Sequence, residues 1–402
     1  MAFFSFIFFK SYNYIFAFWV LDIMTSLIDE KRKDKLKFSN IKVLIARDYM
    51  TLLYLNISDL LSVILVLITH FKSKSEKEKD EKTETKNNNK YELIYTDLSI
   101  KKHKFILILL FSIVDFIGRC SLIFYRLITR NEDELKTRET FWIISIDIIL
   151  RIIFSKLILK TKLYNHHFVS LILFIIGFLP MIIKGNINMT NSEYKIFILF
   201  EILRYVFFGF GDTISKILLT IKFLLPQHLM LWKGIACFGI HLILFPIFYF
   251  CNIMKFSRNG ENYFSNYDSI LILLEILYII ISLVKGIIIL KIIDIFSPQH
   301  VCFVNVVIHL FNYCKFFAKE YDSCNKEFFY ICLIAFIIVI LGILIFNEII
   351  ILNFCNLNKY TRPGILEREK NEIKLSDSRL LPKEDEEDED EISKTSISIN
   401  IN

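Results

Sequence analysis

An all-α membrane protein of ten transmembrane helices, folded as two inverted five-helix repeats, is the fold class this sequence predicts. Three observations carry that expectation. Hydrophobic residues make up 54% of the 402, with 40 Phe and a mean hydropathy of +0.48, beyond what a soluble core uses. The apolar residues fall in blocks of about twenty separated by polar loops, the length a helix needs to cross a bilayer. Helices are required because a segment in hydrocarbon must satisfy its backbone groups internally. The blocks divide into five and five, and an odd unit repeated once gives two halves of opposite orientation.

The N-terminal segment, residues 1–47, carries the first expected span, Tyr12 to Ile28, which is short and contains Asp22. Its opening, MAFFSFIFFK, lacks the basic start and small-residue cleavage site of a removable signal peptide, so it is read as a retained helix. The rest of the first repeat, residues 48–185, holds spans at Asp48 to Thr69, Lys104 to Leu127, Phe141 to Leu159 and Phe168 to Ile183. Between the first two of these lies a low-complexity charged loop, 71–103, containing KSKSEKEKDEKTETKNNNK and expected to be disordered. The second repeat, 195–350, holds Ile196 to Ile221, Leu229 to Cys251, Ile270 to Leu290, Pro298 to Phe317 and Phe328 to Ile349. Residues 356–402 read as a disordered acidic cytoplasmic tail.

Ten Lys between Lys72 and Lys104 place that loop in the cytoplasm, and Asn188-Met189-Thr190 is a glycosylation sequon in a loop that then faces the lumen. An even number of spans puts both termini in the cytoplasm. The segment 29–47 runs against this scheme, with seven Lys or Arg on the lumenal side.

Ionic side chains inside the spans are the most informative chemistry, since a charge at the centre of a spanning helix costs roughly 2.5–3.5 kcal/mol on insertion scales. Asp115 and Arg119, Asp147 and Arg151, and Asp212 and Lys216 are each acid-then-base at i,i+4, on one face of their helix. Glu201 has Arg204 as a local partner, whereas Lys233, Glu275, Lys285 and Lys315 have none of matching sign nearby in sequence. Such pairs hold helices together, or, with an excess of cations around a wet cavity, they bind an anionic solute. His241 and His309 sit on apolar faces and read as packed core histidines. The eight Cys show no ligand spacing, and Cys120, Cys237, Cys251, Cys302, Cys314 and Cys332 read as small hydrophobes in apolar segments. The net charge of +6 is divided between membrane-flanking lysines and an acidic tail, which argues against a nucleic-acid partner.

Several of these stretches together resemble the drug/metabolite transporter superfamily, in particular its solute carrier 35-type, nucleotide-sugar-transporter-like branch. Asp115-Phe116-Ile117-Gly118 looks like the third-helix Asp-x-x-Gly, and Leu163-Tyr164-Asn165-His166-His167 with Gly177 looks like the turn into a glycine-containing fifth helix. Asp212 and Lys216, Pro226, and Lys233-Gly234 occupy the places of the acidic-Lys feature, the proline turn and the start of the seventh helix. Gly342 to Asn347-Glu348 is similar to the family's Gly-x-x-x-x-Asn-Glu ending. The chain departs from the pattern in the charged loop TRNEDELKTRET before Ile146-Asp147 and in having only 11 Gly. The resemblance implies a carrier that works by alternating access, without cofactor, on a small polar, anionic metabolite. Arg119, Arg151, Lys216 and Lys285 would hold the anion, Asp115, Asp147 and Asp212 would orient it or take protons, and Glu201 with Arg204 would complete the lining.

Two other classes stay open at this stage. One is a transporter-like protein without transport activity, a scaffold or regulator. The other is an intramembrane aspartyl protease, suggested by Gly209-Phe210-Gly211-Asp212 but lacking the partner motifs Tyr-Asp in a span and Pro-Ala-Leu. No phosphate-binding GxxxxGK[ST] is present, so movement is expected to be exchange or gradient-driven. In the tail, Leu380 and Leu381 read as a dileucine signal for adaptor proteins, which points to an endomembrane: Golgi, endosomal, lysosomal or vacuolar. The expected partners are therefore a small-molecule solute, the lipid bilayer and adaptors, with a homodimer left open.

Overall fold

The computed structural model describes residues 2–36, 41–82, 102–129, 143–187, 192–222, 224–258, 261–262, 268–306 and 326–352, with isolated positions beyond. Its elements, in chain order, are α1 (Ala2–Lys35), α2 (Ile41–Lys82), α3 (Lys102–Thr129), α4 (Ile143–Ile158), α5 (Asn165–Ile187), α6 (Ser192–Lys216), α7 (Pro226–Phe250), α8 (Ser269–Ile295), α9 (298–306) and α10 (Lys326–Phe346). A two-residue antiparallel ladder, β1 (Ser257–Arg258) with β2 (Glu261–Asn262), ties the turn after α7. Among the described residues, three helices are long and apolar enough to cross a membrane, over Ile41–Lys72, Pro226–Phe250 and Ser269–Ile295, and α3 joins them if counted across a 44° bend. At 1.5 Å per residue, the 27 residues of α8 reach about 40 Å.

Several boundaries differ from the sequence expectation. α1 outruns the predicted Tyr12 to Ile28 at both ends, reaching Lys35. α2 continues to Lys82, so the loop predicted to be disordered from residue 71 begins as helix. Its Glu and Lys residues are strong helix formers, and they alternate at spacings that support i,i+4 pairs. The predicted span Ile196 to Ile221 is α-helical only to Lys216, after which Ile217–Ile221 widens into a π-turn. Only 298–306 of the predicted Pro298 to Phe317 are described, and Lys315 and His309 lie outside the described residues. Cys120, Cys237 and Cys302 are buried, whereas Cys251 is exposed at the C-cap of α7, so its reading as a buried hydrophobe does not hold.

Large apolar side chains cover much of the described surface, and polar and charged groups are buried among the apolar clusters of the interior. Leu242, Ile243 and Phe250 of α7 and Ile272, Leu273 and Ile276 of α8 point outward, while Asn56, Ser62, Ser112, Ser155 and Thr213 are fully buried. That distribution is compatible with a membrane protein. Several buried hydroxyls bond carbonyls of their own helix, as Ser112 does to Ile108, Thr213 to Gly209 and Ser62 to Asp59, so these need no second helix.

The helices pack mainly as antiparallel pairs: α1 on α8, α2 on α7, α3 on α6 and α5 on α10. The direction is legible in the contacts. Along α1 and α8, Asp22 meets Lys285, Arg32 meets Glu275 and Lys35 meets Asp268, so one chain ascends as the other descends. On α5 and α10 the contact is reciprocal. Gly177 lies under Ala335 and Val339, and Gly342 under Ser170 and Phe174. The α2–α7 crossing is tightest at Gly234, where an added Cβ would stand 2.7 Å from the Leu60 amide nitrogen and 2.9 Å from the Asp59 carbonyl carbon. Backbone cannot yield as a side chain does. Gly234→Leu is therefore expected to lower stability by at least the ~1–3 kcal/mol of core overpacking, read as a lower thermal midpoint in detergent.

α8 is capped by Asp268, whose carboxylate accepts from the Leu271 amide at 2.7 Å and pairs with Lys35. Those contacts, Lys35 first, hold its pKa below the usual carboxylate value. A lowered carboxylate stabilises the fold above its unfolded pKa of about 4 and loses that contribution as pH falls through the folded value. The thermal midpoint of Asp268→Asn, a neutral cap, should thus lie below wild type at pH 7 and approach it as pH drops under 4.

Candidate functional site

Most of the charges singled out in the sequence lie inside the bundle, and each meets a partner. Asp115 accepts from Arg119 at 2.8 Å, as the i,i+4 spacing on α3 predicts. Lys233 of α7 then reaches both Asp59 of α2 at 2.8 Å and Asp115 at 3.4 Å, which closes a four-member network across three helices. Gly234 is what lets α7 come close enough for its neighbour Lys233 to do so. On α4, Asp147 pairs with Arg151 at 2.8 Å, and Cys302 of α9 donates to the same carboxylate at 3.0 Å. Glu201 and Arg204 pair within α6 at 3.2 Å.

One expectation about pairing is corrected, and the charges without local partners find theirs on other helices. Asp212 makes its ion pair with Arg151 and not with Lys216. Lys216 instead donates to the backbone carbonyls of Asp294, at 2.7 Å, and Phe296, at 3.2 Å, at the C-terminal end of α8. Lys233, Glu275 and Lys285, which lack local partners in sequence, find them on other helices in Asp59 and Asp115, Arg32, and Asp22. In each case the partner, a counter-ion or, for Lys216, backbone carbonyls, comes from a neighbouring helix, which spacing along one helix does not reveal.

Asp147 and Asp212 do come together, around Arg151. In an aspartyl dyad the two carboxylates share a proton. Here a guanidinium occupies that place, the arrangement of an ion triad.

A polar cluster joins α2 to α7 nearby. His241 has Tyr49 Oη 2.8 Å from Nδ1 and Asn56 Nδ2 2.6 Å from Nε2, with Phe116 edge-on at 5.1 Å. Both ring nitrogens are engaged, as a core histidine requires.

The bundle opens at one end in a cavity of about 190 Å³, formed by the C-terminal part of α1, the N-terminal part of α2, and α3, α6 and α8. Five cations line it, Arg32, Lys33, Arg47, Arg119 and Arg204, against the carboxylates Asp29 and Asp48. Its walls include Tyr278, 4.3 Å below the Arg32 guanidinium, and Phe208, 5.3 Å from that of Arg204. Arg32 is almost fully buried between Glu275 and Asp29, so it is fixed in place. Lys33, Arg204 and Arg119 retain 50%, 40% and 21% side-chain exposure, which leaves donors facing the cavity. Cations outnumber carboxylates five to two in the lining itself, which favours an anion there, while Asp115, Glu201 and Glu275 balance Arg119, Arg204 and Arg32 from behind.

Of the residues expected to bind solute, Arg119 and Arg204 line this cavity, with Asp115 and Glu201 directly behind them. Asp147, Arg151 and Asp212 form their own triad, and Lys216 and Lys285 lie toward the other end, none of them in the lining. The sequence reading missed Arg32, Lys33 and Arg47 as lining because it assigned 29–47 to a loop. Their signal was there, as the basic segment that conflicts with the orientation rule. Asn188, Leu380 and Leu381 lie outside the described residues.

No protein-family model matches this sequence, and no curated protein does either.

Proposed function

We propose that this chain is a secondary-active transporter or exchanger that moves a small polar, anionic metabolite across an endomembrane by alternating access. The observation that carries this reading is the cation-rich cavity, open at one end and built from both halves of the chain. Arg119 and Arg204 line it from the adjoining helices α3 and α6, with the exposed Lys33 and the buried Arg47 also in the lining.

The finer architecture belongs to the same proposal: ten spans in two inverted five-helix units, α1–α5 and α6–α10. Its support is the packing pattern, much of which maps onto itself when each helix is exchanged for the one five later. The contact of α1 with α8 maps onto that of α6 with α3, α2 with α8 onto α7 with α3, and α2 with α3 onto α7 with α8. α2–α7 and α5–α10 map onto themselves and are antiparallel, as a two-fold axis in the membrane plane requires. Both termini then face the cytoplasm and the cavity opens to the lumen. The excess of Lys and Arg in 29–47 stops being an anomaly on this view, because Arg32, Lys33, Lys35 and Arg47 have carboxylate partners or line the cavity.

The competing reading is a transporter-like scaffold or regulator, favoured by the extent to which the buried charges neutralise one another. Uptake by proteoliposomes of a panel of phosphorylated metabolites, nucleotide sugars, dicarboxylates and amino acids separates the two. Saturable uptake of an anion, with thermal stabilisation of the purified protein by the same compound, is the expected result. Neither uptake nor stabilisation by any member would leave the scaffold reading standing.

A further inference from the structure

We infer that Lys216 is the latch that keeps the end opposite the cavity shut. The inference rests on the alternating-access reading. Exchanging each helix around the cavity for its partner five positions away gives α6, α7, α8, α1 and α3 at the opposite end. There, the described residues form an apolar plug. Phe18 of α1, Phe111 of α3, Leu218 of the π-turn, Leu229 of α7 and Ile293 of α8 are all buried in it. Among the described residues the conformation is open at the cavity end and closed by apolar packing at the other.

Among the described residues two ionic side chains tie helices together here: Lys285 pairs with Asp22 to join α8 to α1 beside Phe18, and Lys216 joins α6 to the end of α8. The Lys216 ammonium ends α6 and donates to two carbonyls at the end of α8, where the final turn has no further helix to satisfy it and the helix dipole is negative. The backbone changes from α to π immediately after Lys216, over Ile217–Ile221. A π-turn is a one-residue surplus in an α-helix, and shifting it along the helix rotates the residues it passes. α6 therefore carries both a bond that closes this end and a backbone register that can release it. Removing the ammonium takes away contacts made only in the sealed state, so the balance between the two states shifts toward opening this end.

The test is cysteine accessibility in nanodiscs, where a membrane-impermeant maleimide reaches both faces, with labelling read at each introduced cysteine by peptide mass spectrometry. With Lys216 intact, Leu229→Cys in the plug should be protected and Leu55→Cys in the cavity labelled. Adding Lys216→Met should speed labelling of Leu229→Cys about tenfold, the population change that about 1.4 kcal/mol produces, and slow that of Leu55→Cys. Lys216→Arg should retain the protection. If Lys216→Met does not fold, Lys216→Gln carries the same expectation in direction. Unchanged labelling of Leu229→Cys, or a rise at both positions together, would overturn the latch. The readout needs no solute, so a failed uptake screen beside a reciprocal labelling shift would reject transport and retain the latch.

Discussion

Arg151→Met is expected to destabilise the protein by about 3–5 kcal/mol, the usual cost of removing one partner of a buried ionic group. The guanidinium lies between Asp147 of α4 and Asp212 of α6 and is almost entirely buried. Its loss strands two carboxylates in an apolar interior, with the Cys302 thiol the one remaining donor identified to Asp147. The checking measurement is the thermal midpoint and the monodisperse yield in detergent. Adding Asp147→Asn and Asp212→Asn to Arg151→Met should recover much of the loss, since neutral amides are cheaper to bury than unpaired charges. A single variant as stable as wild type would show that the triad contributes little to the fold.

The second large effect concerns the cavity. On the transport reading proposed above, Arg204→Gln is expected to raise the KM for solute uptake roughly 10- to 100-fold, because a hydrogen bond to a charged group contributes about 1.5–3 kcal/mol, and to lower the thermal midpoint because buried Glu201 loses its cation. Arg204 suits this test because it combines a lining position with 40% side-chain exposure, and its carboxylate partner Glu201 is on the same helix. Its loss therefore disturbs no contact between helices through that pair. Lys33→Gln should have a smaller effect that fades with added salt, as expected for an exposed charge that steers solute inward. An unaltered KM in Arg204→Gln, with the protein folded, would move the binding site elsewhere.

How much of this was legible beforehand depends on the range of the interaction. Asp115–Arg119, Asp147–Arg151 and Glu201–Arg204 could be read because one turn of helix fixes which side chains share a face. Asp212 could not, since the competition between Lys216 one turn away and Arg151 on another helix is decided by packing. The cavity was half visible. Arg119 and Arg204 stood out as charges in apolar blocks, but Arg32, Lys33 and Arg47 lie in a basic segment that reads as an ordinary loop. The π-turn after Lys216 has no signature in sequence, because ILLTI is as apolar as the helix before it.

By itself, the sequence determined the helical blocks, their polarity and the identity of the charges that must be reconciled with an apolar surrounding. Those follow from local rules: backbone hydrogen bonds must close within each segment, and ionic groups are too costly to face hydrocarbon. Only the tertiary structure decided which helix supplies each counter-ion and at which end the cations gather around open space. The reason is that Coulomb and packing energies depend on distances between helices far apart in the chain, and the close approach at Gly234 and the turn beyond Lys216 set those distances.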